Sequence, residues 1–592
     1  MHHEERWENS IASIGDEMAE TNTLGLVDYL VIAVMLCISA GIGVYYRFSG
    51  GRQKTMEEYF VASRSMGVVP VAIALVVSFM SAVTLLGVSA ENYTYGTQFV
   101  VINLSYLIGT PIVCYGFLPV FFKLQATSAY ELLLYSGVVL YAPSLALEAT
   151  TGISKTASIL IIGLVCAFYS SIGGIKAVLV TDVFQGLLMF AAVFLVIGTA
   201  ATEVGGLGQI WEIARQGQRL EFDRIDLDPT VRHTWWSLTF GGLCTFLSLY
   251  GVNQVQIQRT LSVKNIQASQ RALWLAWPIL TLLSFTTCFS GLAIYSRYYN
   301  CDPILEKRIT APDMLMPLYV MDTMSNIPGL AGLFVAGIFS AGLSTISAAL
   351  NSLAAVTLED YVKPVYRKCI GHEFSPAKSA SVAKVLALSF GIVSIALAFL
   401  AQFLGGLLQA SLTIFGVVGG PLLGIFTLGM GTETATEGGA ITGVLAAFSF
   451  LFWIVFGQPR PIPPTLPTTI EGCNATNVTI SLFQNATSLS KSTGDSSYFY
   501  LYRISYMWYS PIGFLITFIL GLLVSYLSRL FIKNETDDLD ANLFFPVIAR
   551  RIRARQGNDV GSEGNSSLDR KYSFSDVIHG KDNAADKICT KL

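Results

Sequence analysis

The 592-residue chain is short of charge: Asp, Glu, Lys and Arg together make up 13% of it, against about a quarter in an ordinary soluble protein. With 53% hydrophobic residues and a mean hydropathy of +0.56, it carries more apolar surface than one soluble core could bury. A polytopic membrane protein is what remains. The net charge is −3 and no basic stretch is interleaved with aromatics, so nothing points to nucleic acid. Nine cysteines stand singly with no CxxC pair, which excludes a zinc or dithiol motif. Neither a nucleophile–base pair nor a metal-ligand set occurs at membrane depth or in the loops, so the chain does not read as an enzyme. The first 23 residues are polar and acid-rich, unlike a cleavable signal peptide, and the run over 26–46 reads as a retained helix.

Long apolar runs are abundant. At ~1.5 Å per residue, ~20 residues cross ~30 Å of hydrocarbon. Spacing predicts about 13 transmembrane helices in an all-α fold, near 26–46, 68–90, 98–121, 132–149, 156–173, 177–200, 234–253, 272–296, 330–356, 382–401, 407–429, 438–457 and 509–532. Arg47, Arg52, Lys54 and Arg64, then Arg259, Lys264 and Arg271, then Lys363, Arg367 and Lys368 all fall on one side of this count. That side is cytoplasmic by the positive-inside rule. Segment 1–25 is then extracellular, 26–532 is the membrane domain, and 533–592 is a polar cytoplasmic tail. The extracellular loop 458–508 holds glycosylation sequons at Asn474, Asn477 and Asn485, which agrees with this orientation. Cys301 and Cys473 also fall outside, where a bridge between them can form; Cys37, Cys114, Cys166, Cys244 and Cys288 read as small core residues.

Two spans carry polar residues that a membrane helix normally excludes. One is Ser78-Phe79-Met80-Ser81-Ala82-Val83-Thr84, ending at Gly87, and the other is Ser340-Ala341-Gly342-Leu343-Ser344-Thr345. Such groups persist at membrane depth where they line a cavity or hold an ion. Pro70 and the hydroxyls of the second span, and Thr239-Phe240-Gly241-Gly242 of the seventh, predict two broken helices. They open consecutive five-helix blocks, 68–200 and 234–429, which suggests an inverted repeat with its site between the halves. Sodium wants hard oxygens, and Ser344, Thr345 and carbonyls near Ala341, Met80 and Val83 could supply them. The competing reading is that each hydroxyl bonds the carbonyl one turn back. Asp182 starts the sixth span, either to favour the helix dipole or to hold an ion together with Gln185 on the same face. In the amide-rich run 251–259, Arg259 suits lipid phosphates and Gln254 is left unexplained. The spans offer almost no Lys or Arg for an anionic substrate. Bound sodium and helix N-termini would have to offset a carboxylate there.

These residues resemble the sodium/solute symporter family, with its leucine-transporter-like five-plus-five inverted repeat. The resembling branch holds the multivitamin transporter, the monocarboxylate transporters and the iodide symporter. The likeness rests on Ser78–Val83, on Thr181-Asp182-Val183-Phe184-Gln185, on 250–254, on Leu343-Ser344-Thr345 and on 355–360. It implies a sodium site at Ala341, Ser344, Thr345 and the carbonyls near Met80 and Val83. It further implies a second cation region at Ser78, Ser81, Asp182, Gln185 and Gln254, and a substrate pocket at Thr84, Tyr135, Phe246 and Phe415. The expected activity is sodium-coupled, electrogenic symport of a small organic anion at the plasma membrane. Monocarboxylates such as lactate, butyrate or nicotinate come first, and biotin or pantothenate second, with no organic cofactor. Thr84 stands where the iodide symporter has glutamine, which disfavours iodide; sugar-binding side chains are missing, and no channel filter motif occurs. After Thr127-Ser128-Ala129-Tyr130-Glu131 the chain passes directly to Leu132, where relatives continue with a further stretch, so the fourth span is short. In the tail, Arg550, Arg551, Arg553 and Arg555 suit anionic membrane lipid, and Thr590-Lys591-Leu592 resembles a PDZ ligand.

Overall fold

Backbone N–H and C=O groups in hydrocarbon must be satisfied within their own segment, and an apolar chain of this length answers with helices. The computed structural model describes residues 24–48, 61–124, 131–372, 374–401, 406–459, 463–473, 498–531 and 539–555. The three sequons, the 127–130 stretch and the terminal Thr590–Leu592 lie outside these. Among the described residues the only β pairing is an isolated bridge, Met66–Val263. Among the described residues nine helices are long and apolar enough to cross a membrane, and a bent pair, Val68–Val77 and Ala82–Tyr95, passes the same test when taken as one broken span. We call these two halves α1 and α2.

The predicted break in the second span is present. Helices α1 and α2 meet at 56°, with Ser81 in extended conformation (φ −86°, ψ 179°) between them. The seventh span is broken too, but at its other end. Thr239–Gly242 stays helical within Ser237–Val252 (α3), while Asn253 turns extended (φ −77°, ψ 132°) before a short helix Gln254–Thr260 (α4). The Asn253 side chain decides the position, because its Oδ1 accepts from the Val255 N–H at 3.0 Å and caps the new helix.

One helix, Lys155–Val204 (α5), covers both spans predicted near 156–173 and 177–200. Within it, Ile175–Val204 is long and apolar enough to cross a membrane and Lys155–Ala167 is a shorter apolar helix. The shortened fourth span forms Glu131–Thr151 (α6), whose 21 residues reach ~31 Å because the helix takes in Thr150 and Thr151.

At the centre lies Leu330–Val356 (α7), buried along almost its whole length. Glycine, alanine and serine make that depth of packing feasible, since small residues let backbones approach. A Cβ at Gly337 would stand 2.8 Å from the Leu188 carbonyl oxygen of α5, and one at Gly342 2.6 Å from Pro143 of α6.

Candidate functional site

A cavity of about 90 Å³ lies where the two broken helices face each other. Its wall includes Phe79, Met80, Val83 and Thr84 around the first break and Thr245, Phe246, Leu249 and Tyr250 from α3, with Tyr135 and Phe415 closing it. No lining residue is charged. The aromatic floor is continuous. Tyr135 and Phe415 have ring centroids 4.5 Å apart, Phe246 stacks on Tyr250 at 4.5 Å, and Phe79 touches Tyr135, Tyr250 and Phe415 at 5.9–6.5 Å.

The polar groups at the first break are placed individually. Ser81 Oγ lies 3.1 Å from the Tyr135 hydroxyl, so the shortened α6 still delivers its tyrosine to the cavity. Thr84 donates to the Phe79 carbonyl at 3.3 Å. Ser78 bonds the Ala74 carbonyl one turn back, the local arrangement expected of a membrane serine. Thr345 behaves likewise, donating to the Ala341 carbonyl at 3.1 Å.

Ser344 does not. Its hydroxyl donates to Asp182 Oδ1, while Arg259 Nη2 sits 2.8 Å from Asp182 Oδ2. All three residues are fully buried. Two sequence-based expectations are corrected here. Asp182 lies in the interior of α5, so it cannot serve the dipole of a helix start. Arg259 does not face lipid but pairs with Asp182, because a buried carboxylate without a partner costs several kcal/mol. Gln185, one turn beyond Asp182, is fully buried with both amide atoms unpartnered, as are Ser340 Oγ and Gln254 Oε1. Along α5 and α7, Asp182 stands opposite Ser344 and Leu188 opposite Gly337, so Gln185 falls level with Ser340 and Ala341. Buried polar atoms left this way ordinarily hold water or an ion.

Comparison with known proteins places this geometry. The chain matches the profile of the Sodium:solute symporter family over 59–136 and 128–447. The chain belongs to that family. The two matched stretches meet at 128–136, at the departure noted in the sequence. This symporter is 50% identical over 575 residues to the "Putative sodium-dependent multivitamin transporter" of Drosophila melanogaster, covering 92% of this chain and 95% of that one. It is 40% identical to human sodium-coupled monocarboxylate transporter 1 over 543 residues, 84% of this chain and 86% of the relative. A solved Na+-coupled sialic acid symporter in a substrate-bound outward-open state superposes with a TM-score of 0.65 at 23% identity, over 85% of this chain and 98% of that one. The fold is therefore the leucine-transporter-like one of sodium-coupled carriers, and the protein is a multi-pass sodium-coupled solute symporter, not an enzyme.

Within the symporter, Thr84, Tyr135, Phe246 and Phe415 do line one cavity. Sequence reasoning missed Tyr250 and Gln256. Both donate to the Leu75 carbonyl, at 3.3 and 2.8 Å. An aromatic or amide in an apolar run resembles packing or a cap, and no local signal separates the cases. Cys301 and Cys473 are disulfide-bonded, with Cα atoms 5.0 Å apart.

Proposed function

We propose that this symporter carries a small organic anion with sodium, taking short monocarboxylates first. The observation that carries the reading is a mid-membrane cavity that is aromatic, hydroxyl-dotted and free of any charged side chain. A carboxylate entering it has no fixed cation to meet, so a co-bound sodium would supply the missing charge and its absence would leave the anion's desolvation uncompensated. Sodium is assigned to Ser344, Thr345 and the carbonyls of Ala341, Met80 and Val83. A second cation is assigned to the region of Ser78, Ser81, Asp182, Gln185 and Gln254, whose unpartnered amide oxygens favour it. Two cations with one monoanion move one net charge, worth ~2.3 kcal/mol per 100 mV. The protein would work in the plasma membrane with its N-terminus outside and its basic tail on the cytoplasmic lipid.

A second reading is a carrier of biotin- or pantothenate-like carboxylates, favoured by the name of the 50%-identical relative. The modest cavity volume supports the shorter substrates. The deciding experiment is whole-cell current with lactate, butyrate, nicotinate, biotin, pantothenate and iodide, with and without sodium. A saturable inward current to one carboxylate that vanishes without sodium is expected. A sodium-independent current, or one evoked by iodide alone, would reject the reading.

A further inference from the structure

The cavity holds no charge, yet a complete ion pair sits one helical turn above it. Glu91 follows the lining residue Val88 by three positions on α2, and Gln409 directly follows the lining residue Leu408. Arg232, on the segment that enters α3, joins them. Its Nε and Nη2 grip the two Glu91 oxygens at 2.6 and 3.0 Å, and its Nη1 donates to Gln409 Oε1 at 2.9 Å. The guanidinium is held between two rings, 4.1 Å from the Tyr95 centroid and 5.1 Å from that of Tyr506. Ser505 fixes the Arg232 backbone by donating to its carbonyl at 2.6 Å. His233 lies 3.6 Å from Glu91. Burial first, and Arg232 beside it, hold that imidazole well below its ordinary range. It stays neutral, and Arg232 alone balances Glu91.

Three separate elements thus meet over the mouth of the cavity through one cation. Opening that mouth must part them, and parting them leaves a planar fork of donors, already braced by aromatics, without its carboxylate. Such a fork binds any carboxylate of the same geometry.

We propose that Arg232 is the first binding point of the substrate at the outer mouth, where the substrate carboxylate replaces that of Glu91 on the guanidinium before descending to the uncharged cavity. This inference rests on the anion-symport reading above. It adds an entry subsite for carboxylates and makes Glu91 an internal competitor of the substrate.

The test is sodium-driven uptake of labelled butyrate, or of biotin if the wild type carries that instead, normalised to surface protein. Arg232→Gln is expected to raise KM about ten-fold or more, and Arg232→Lys to raise it less, since a charge remains but the fork is lost. Glu91→Gln is expected to leave KM unchanged or lower it, because the competitor is gone. Glu91→Gln/Arg232→Gln is expected to keep the high KM of the single arginine variant. A merely structural latch predicts otherwise: Glu91→Gln and Arg232→Gln would behave alike, and the neutral pair would recover the wild-type KM. Either result overturns the proposal. Should Arg232→Gln fail to reach the surface, Arg232→Lys and Glu91→Gln decide by moving KM in opposite senses or together. Absence of sodium-driven carboxylate uptake in the wild type itself would reject the function reading instead.

Discussion

The side-chain amide of Gln256 donates to the Leu75 carbonyl across 2.8 Å, stitching α4 to α1. Leu75 is free to accept because the chain bends: the Phe79 N–H, which a continuous helix would aim at Leu75, bonds Val76 at 3.2 Å instead. One half of each broken helix is therefore joined to the other through an acceptor created by one of the breaks.

Gln256→Leu removes that joint while leaving Tyr250 on the carbonyl. A hydrogen bond lost from an acceptor that keeps a second partner costs about 0.5–1.5 kcal/mol. Maximal uptake should fall by up to about ten-fold at equal surface level, with KM little changed, since Gln256 does not line the cavity. Uptake kinetics with surface biotinylation would check this, and a selective rise in KM would count against it.

Arg259→Ala strands the Asp182 carboxylate in a fully buried setting, at a cost of about 3–5 kcal/mol. Such a variant should be lost from the cell surface and melt early in a detergent thermal-shift assay. Asp182→Asn/Arg259→Gln should recover much of that stability, because the pair's desolvation disappears with its charge. Ser344→Ala, by contrast, should melt nearly normally and raise the half-saturating sodium concentration several-fold.

Gly109 lies where a methyl group would strike the ring of Phe246, 2.8 Å from Cε1. Gly109→Ala should push that ring against its stacked partner Tyr250 and into the cavity. Substrate affinity is expected to drop by about ten-fold, equivalent to about 1.4 kcal/mol, with the protein still folded. A concentration series of uptake would read it.

The helices were legible because their signal is local: runs of ~20 apolar residues, with hydroxyls marking the first break at Ser78–Ser81. The cavity residues Thr84, Tyr135, Phe246 and Phe415 followed from the family resemblance. What escaped depends on contacts between distant positions. Arg259 looked interfacial because its partner lies 77 residues away. The second break was sought at the Gly241-Gly242 pair, whereas an asparagine cap four residues from Leu249 determines it. The pair Glu91–Arg232 spans 141 residues and leaves no mark in either local segment.

Asp313, in the segment before α7, accepts from the Leu407 N–H at 3.0 Å. Burial first, with Glu91 adding to it, raises its carboxyl to about 6. A raised acid binds its proton more tightly in the closed arrangement than when water reaches it. Closure is therefore favoured below that value and loses this contribution as pH rises through about 6. Lowering external pH from 7.5 to 5.5 should weaken the apparent affinity for external substrate, with the effect setting in near 6. Asp313→Asn should abolish that dependence, which uptake at a series of external pH values would show.

The loop residues 463–473 bond at four points to what lies beneath them. Leu466 donates to the Thr94 carbonyl at 3.1 Å, Pro467 accepts from buried Arg219 at 2.9 Å, and Thr469 and Gly472 bond Asp302 and Asn300 at 3.0 Å. The Cys301–Cys473 bridge then ties the loop just beyond the Tyr298 end of helix Ile266–Tyr298 across 172 residues of sequence. The Thr94 end of α2 is thereby leashed through the loop to helix Ile266–Tyr298. The leash acts at the end of α2 away from its 56° bend with α1, so any change of that bend would carry the loop along with α2.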